Sequence, residues 1–155
     1  MTTRAQATRD DLQVVCFELG AERYGLDIAR VFEIIRSQSI TAVPSAPSFV
    51  EGVINLRGRI VPIVDLRARF GLGRTEATKA SRIMVVDAGV MVGLVVDGVS
   101  EVLMVPPDAI EPTPELATGY DSAYLAGIAR IDERLVILLD LARLFAGDEQ
   151  AALAA

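Results

Sequence analysis

The chain of 155 residues has no histidine, no tryptophan and one cysteine. Without histidine it lacks the usual general base and proton shuttle, and the commonest metal ligand. A single thiol, Cys16 in VVCFEL, rules out a disulfide framework within the chain and any cysteine-rich metal site, and fits a reducing compartment. A nucleophilic cysteine would need an imidazole partner, and there is none. Cys16 therefore reads as a small core residue. Aromatic residues are only 5% of the chain and are not interleaved with basic ones, which weakens any single-strand or RNA platform. No apolar run reaches the ~18 residues of a membrane span. Asp87 and Asp97 interrupt the longest candidate, and MTTRAQATRD lacks the apolar centre of a signal peptide. Neither a G-x-S-x-G elbow nor a P-loop occurs, and Gly71-Leu72-Gly73 reads as turn glycines. These absences predict a soluble, cytoplasmic protein with no cofactor, no metal, no nucleic-acid partner and no direct membrane insertion.

What is present is hydrophobic. Apolar residues make up 52% of the chain and charged residues 23%, enough to bury a real core. The formal net charge is -6, unevenly placed. Residues 1–75 carry ten Lys/Arg against eight Asp/Glu, and residues 76–155 carry five against thirteen. Arg57, Arg59, Arg67, Arg69 and Arg74 share their stretch with one acid, Asp65. That cluster is either a solvated face or a docking patch for an acidic or polar partner.

Along the chain, residues 1–11 read as a polar tail. VVCFELGAERYGLDI reads as two strands around a turn at Gly20 to Glu22. Ile28, Val31, Phe32 and Ile35 are spaced as one face of a short helix capped by Asp27. Ser39–Val43 suits a short strand, and Pro44 and Pro47 a loop. GVINLRGRIVPIVDL is a hairpin turning at Gly58, with Pro62 expected at a sheet edge or bulge. A helical cap follows over Leu66 to Phe70. RIMVVDAGVMVGLVVDGVSEVLMV gives two further strands and a third after Gly98. Residues 106–123 form a Pro-rich connection, long enough to be functional or mobile. The Ala-rich residues 147–155 read as a frayed tail.

The sequence repeats. Gly52–Phe70 and Gly127–Phe145 align without a gap, and six of nineteen positions are identical, including Gly52/Gly127, Arg59/Arg134, Asp65/Asp140 and Phe70/Phe145. Upstream, Gly25-Leu26, Val31 and Glu33 match Gly93-Leu94, Val99 and Glu101. Two halves of this size bury too little surface alone and must pack together. Close-spaced short strands favour small barrels. The aligned turns differ: Leu56-Arg57-Gly58-Arg59 in one copy, Ile131-Asp132-Glu133-Arg134 in the other. The charge reversal marks either drift between solvated turns or a task for one of them.

Carboxylates are plentiful, so composition alone leaves a paired-acid hydrolase open. Asp65 and Asp140, however, sit at equivalent positions just before the helical caps and suit N-capping. What remains is surface: sheet edges and apolar grooves that bind other proteins. Val31 fits plain core packing, or an interface if its neighbour Phe32 is left outside.

The segments YGLDIARVFEI, EGVINLRGRIVPIVDLRARF, VGLVVDGVSEVL and YLAGIARIDERLVILLDLARLF together resemble the CheW family of bacterial chemotaxis coupling proteins, over about residues 12–146. The resemblance implies a mainly β fold: two pseudo-repeated five-stranded SH3-like barrels packed together, with short helices, in one domain of two subdomains. It implies no enzymatic activity. The expected partners are a chemoreceptor (methyl-accepting protein) cytoplasmic tip and the regulatory domain of the CheA histidine kinase, with recruitment to membrane chemoreceptor arrays. In the V-x-E-I segment, Val31 and Glu33 match positions associated with receptor binding. In G-V-x-N-L-R-G, Gly52 and Arg57 match likewise, with Asn55 and Gly58 completing the motif. Arg57 is the strongest candidate, since a guanidinium on a rigid turn can direct several hydrogen bonds. An adaptor of a non-flagellar chemosensory pathway is the alternative reading.

Overall fold

A computed structural model of the chain describes residues 11–73, 76–112 and 125–145. The expected tails, apart from Asp11, and most of the Pro-rich connection lie outside these residues. Among the described residues there are eleven strands: β1 (Leu12–Leu19), β2 (Glu22–Asp27), β3 (Val31–Arg36), β4 (Val50–Leu56), β5 (Arg59–Asp65), β6 (Arg82–Asp87), β7 (Met91–Val96), β8 (Gly98–Val105), β9 (Ile110–Glu111), β10 (Leu125–Ile131) and β11 (Arg134–Leu139). The described α-helices are single turns, α1 (Leu66–Arg69) and α2 (Leu141–Leu144). None of the described helices is long and apolar enough to cross a membrane.

The strands form two sheets, ordered β8-β1-β2-β11-β10-β9 and β3-β6-β7-β5-β4. The fold is mainly β, as expected, with β9 a sixth strand in the first sheet. The sequence repeat maps β1, β2, β3, β4 and β5 onto β6, β7, β8, β10 and β11. Under that mapping the two sheets have the same strand order, but each takes its leading hairpin from one repeat and its remaining strands from the other. The halves are therefore interlocked. The parallel pairs that stitch them are equivalent: Ile63 opposite Gly93 in one sheet, Leu138 opposite Gly25 in the other.

Alternation along each strand sends residues to two different interiors. Val14, Cys16, Ala129, Val136 and Leu138 line one small barrel. Their repeat equivalents Ile83, Val85, Ile54, Val61 and Ile63 line the other. The opposite faces of the same strands contribute Val15, Phe17, Leu19, Met84, Val86 and Val64 to a larger core between the barrels, which Leu66, Phe70, Leu141 and Phe145 close from the helical turns. In IVPIV and LVILL the last four residues are buried or half-buried on both faces, while the leading Ile60 and Leu135 stay exposed. Gly25 and Gly93 recur because a Cβ at either would fall 2.4 Å from Val14 Cγ1 or 2.6 Å from Ile63 Cδ1. The barrel interiors have no room for it.

Three local expectations change. The helix through Ile28, Val31, Phe32 and Ile35 does not form. A 3-10 turn spans Ile28–Arg30, and the Asp27 carboxylate caps it by accepting the Ala29 N–H at 2.9 Å. From Val31 the chain is extended and pairs with β6. Its β-branched and aromatic residues suit either spacing, and the free edge of β6 decides between them. Ser39–Val43 reduces to one bridge, Thr41 with Val53. Pro62 lies in β5, an interior strand, opposite Val53, and the β4 bulge between Val50 and Gly52 faces the next residues, Ile63 and Val64. The opposing Val53 turns its N–H and C=O away to Thr41, and the ladder to β7 begins at Ile63, so no partner waits for the missing proline N–H.

Candidate functional site

The β4–β5 hairpin is closed by the two residues Arg57 and Gly58, with Leu56 paired to Arg59. Both turn residues have positive φ, 52° and 86°, as the twist-matched two-residue hairpin turn requires. Gly58 adopts this freely, whereas Arg57 does so at a cost of about 1 kcal/mol. Asn55 holds the turn by accepting the Gly58 N–H on Oδ1 at 2.8 Å. A rigid turn thus projects the Arg57 side chain, which is 69% exposed.

The guanidinium reaches Glu33 on β3. Arg57 NH2 donates to Glu33 Oε2 at 2.9 Å, and NH1 donates to Oε1. β3 and β4 are the two edges of their sheet, so this forked pair latches the rolled sheet across its seam. The hydrogen bonds from Arg57 hold the Glu33 carboxyl below its ordinary pKa and raise that of Arg57. The other barrel has the same device with different parts. Glu101, the equivalent of Glu33, accepts from Arg134 NH1 at 3.1 Å and from Arg23 NH1 at 3.5 Å. Arg134 is the equivalent of Arg59. In the first barrel Arg57 does the latching, and Arg59 makes no hydrogen bond or ion pair with the described residues.

Of the six candidate residues, Glu33, Asn55, Arg57 and Gly58 meet at this turn. Val31 is half-buried and packs against the shared core. Gly52 is buried, at φ 148°, and a Cβ there would fall 2.1 Å from the Thr41 carbonyl oxygen. The backbone that approaches Gly52 is the chain's own. Sequence reasoning passed over Ile60 beside the turn, which is 66% exposed, as is its repeat equivalent Leu135 at 52%. No sequence signal marked them, because packing alone decides that these apolar residues stay outside. Phe32, 60% exposed, and Ile34 stand outward on β3.

Elsewhere the chemistry is structural. Asp65 accepts the N–H groups of Arg67 and Ala68 at 3.1 and 3.3 Å, and Asp140 accepts that of Arg143 at 3.2 Å, so both cap their helical turns. A cavity of about 280 Å³ is lined by Asp27, Arg30 and Asp140 among apolar residues. Two carboxylates in a cavity is what a hydrolytic reading asks for, but both are occupied as caps of backbone N–H groups. Burial, with help from the Glu101 charge, pushes the Cys16 thiol up to about 11, which leaves it protonated and inert at neutral pH. Among the described residues no three Cys, Asp or Glu side chains gather as a metal-holding group.

Comparison with known proteins agrees across nearly the whole chain. The profile of the CheW-like domain matches residues 13–149. The chemotaxis protein CheW of Klebsiella aerogenes is 40% identical over 140 residues, spanning 90% of this chain and 84% of that protein. The chemotaxis protein CheW of Rhizobium meliloti is 36% identical over 154 residues, spanning 98% and 99%. The crystal structure of the scaffolding protein TtCheW from Thermoanaerobacter tengcongensis superposes with a TM-score of 0.82 at 43% identity, covering 90% of this chain and 95% of that one.

Proposed function

This chain belongs to the CheW-like domain family, and from that premise we propose that it is a non-catalytic adaptor joining chemoreceptor cytoplasmic tips to the regulatory domain of the CheA histidine kinase. Its relatives are chemotaxis and scaffolding proteins, and its role is that of a chemotaxis scaffold. The receptor contact is the β4–β5 turn, with Arg57 at its centre. The observation that carries this is the rigid turn, which holds an exposed guanidinium against Glu33 with part of its surface turned outward. A planar fork so fixed loses little freedom on meeting the carbonyls and acids of a helical tip. Asn55 and Gly58 set the turn. Gly52 acts indirectly by seating the Thr41 segment, and Val31 by anchoring β3 to the core. The protein works in the cytoplasm at receptor arrays, where individually weak contacts gain from avidity.

The test is co-sedimentation with receptor-bearing membranes. Arg57→Glu abolishes binding while the protein stays folded. The exchange Arg57→Glu with Glu33→Arg separates two roles. It restores the latch but reverses the charge offered to the partner, so binding stays lost if Arg57 touches the receptor. Recovery of binding would make the pair a latch only. Normal sedimentation of folded Arg57→Glu would sink the site assignment.

A further inference from the structure

The far end of the same sheet carries a second basic feature that neither the latch nor the turn uses. Arg36 closes β3 and Arg82 opens β6, and the two are directly opposite in the antiparallel pairing. Facing pairs share one side of a sheet, and like charges so placed destabilise it. With Ser37, Thr78, Lys79 and Ser81 they line a cleft of about 450 Å³. Among the described residues that line it there are three cations, three hydroxyls and no carboxylate. Arg36 and Lys79 make no hydrogen bond or ion pair through their side chains with the described residues. Glu76 and Asp97 lie in an adjoining cleft that shares Thr78, and there Arg67 pairs with Asp97 at 3.2 Å.

The cleft is held in shape before any ligand arrives. Ser81 Oγ accepts the Thr78 N–H at 2.9 Å, and Thr78 Oγ1 accepts the Ala80 N–H at 3.1 Å. Arg82 NH1 donates to the carbonyls of Lys79 and Ser81 at 2.9 and 2.8 Å. That anchors the guanidinium on the turn, and its other N–H groups make no hydrogen bond with the described residues. Two guanidinium forks, an ammonium and hydroxyl donors around one hollow match the several oxygens of a multiply charged oxyanion.

We propose that the Arg36–Lys79–Arg82 cleft binds a phosphoryl group, preferentially a diphosphate. Such a ligand would offset the repulsion between the facing arginines and so stabilise the β3–β6 edge. No aromatic or aliphatic residue stands in the described lining to hold a base or sugar, so the phosphates carry the recognition. This rests on the cleft alone and is independent of the receptor contact at Arg57.

The experiment is calorimetric titration of the full chain with inorganic diphosphate at constant ionic strength, with thermal unfolding read in parallel. Wild type binds saturably, Arg36→Gln weakens binding at least tenfold, and Arg30→Gln, an exposed arginine outside the cleft, leaves it unchanged. Without ligand, Arg36→Gln melts above wild type because the facing repulsion is gone. Diphosphate then narrows or reverses that gap by stabilising wild type more. ADP binds like diphosphate. Absence of saturable binding below about 10 mM, equal weakening by Arg30→Gln and Arg36→Gln, or tighter binding of ADP than of diphosphate would each overturn the assignment.

Discussion

The two barrels are built from matched residues in matched order, yet they close differently. In each, a glutamate on an edge strand grips an arginine on the hairpin across the seam: Glu33 with Arg57, Glu101 with Arg134. The glutamates are equivalent and the arginines are not. Arg134 sits where Arg59 sits, two residues beyond the position of Arg57. Moving the latch into the turn leaves Arg59 without a hydrogen bond or ion pair to the described residues and makes the turn itself basic. The other barrel keeps Asp132 and Glu133 at its turn, both at positive φ without a glycine. The scaffold thus tolerates either charge at this place, provided one arginine of the hairpin reaches the glutamate. A duplicated fold can keep its closure and change what its turns display.

The comparison can be broken hardest at the bulge glycines. Gly52 and Gly127 share nearly the same φ, 148° and 149°, but a Cβ at Gly52 meets a carbonyl oxygen at 2.1 Å and one at Gly127 at 3.0 Å. Gly52→Ala should therefore cost about 4 kcal/mol and Gly127→Ala about 2, from strain plus clash. Denaturant midpoints check both, and equal costs would mean the barrels relax alike. Next come the interiors. Ile63→Ala and Leu138→Ala remove equivalent side chains from the two small barrels and should each cost about 3 kcal/mol. Because the halves interlock, both variants should still unfold in one transition; two separate transitions would show independent subdomains.

The caps come third. Asp65 is 2% exposed and accepts two N–H groups, whereas Asp140 is half-buried and accepts one. Asp65→Ala should cost about 2 kcal/mol and Asp140→Ala about 1, read from the same midpoints. The smallest effect belongs to the latch. Arg57 holds the Glu33 carboxyl below its ordinary value of 4.5, so the pair contributes stability above that pH and loses it as pH falls through the lowered pKa. Glu33→Gln should flatten the acid side of the stability profile and leave the neutral side nearly unchanged. A profile unaltered below pH 4.5 would mean that the seam does not depend on this charge.

Much of this was legible in the chain. Six identities in nineteen aligned positions pointed to two similar units, and the equivalence of Asp65 and Asp140 pointed to caps rather than catalysis. Four of the six candidate site residues converge on one turn because they are neighbours in one hairpin motif or lie on the strand across its seam. The segment after Asp27 misled because its apolar spacing fits a helix and a strand equally well, and its partner β6 lies more than forty residues away. The family resemblance placed Gly52 among the receptor-binding positions, whereas the backbone packed against it is the chain's own Thr41 segment, which lies outside the sequence motif.

The residues by themselves determined the unit that repeats, the two buried faces of its strands, the capping of its helical turns and the absence of imidazole chemistry. These are local matters of side-chain size, polarity and spacing. Tertiary structure alone decided which hairpin joins which sheet, which arginine latches each seam, and which apolar residues of β3 and β5 stay in water. Those outcomes depend on contacts between segments far apart in the chain. Two copies of one pattern could satisfy them in their own sheet or in the other's, and only packing around the shared core selects the exchange.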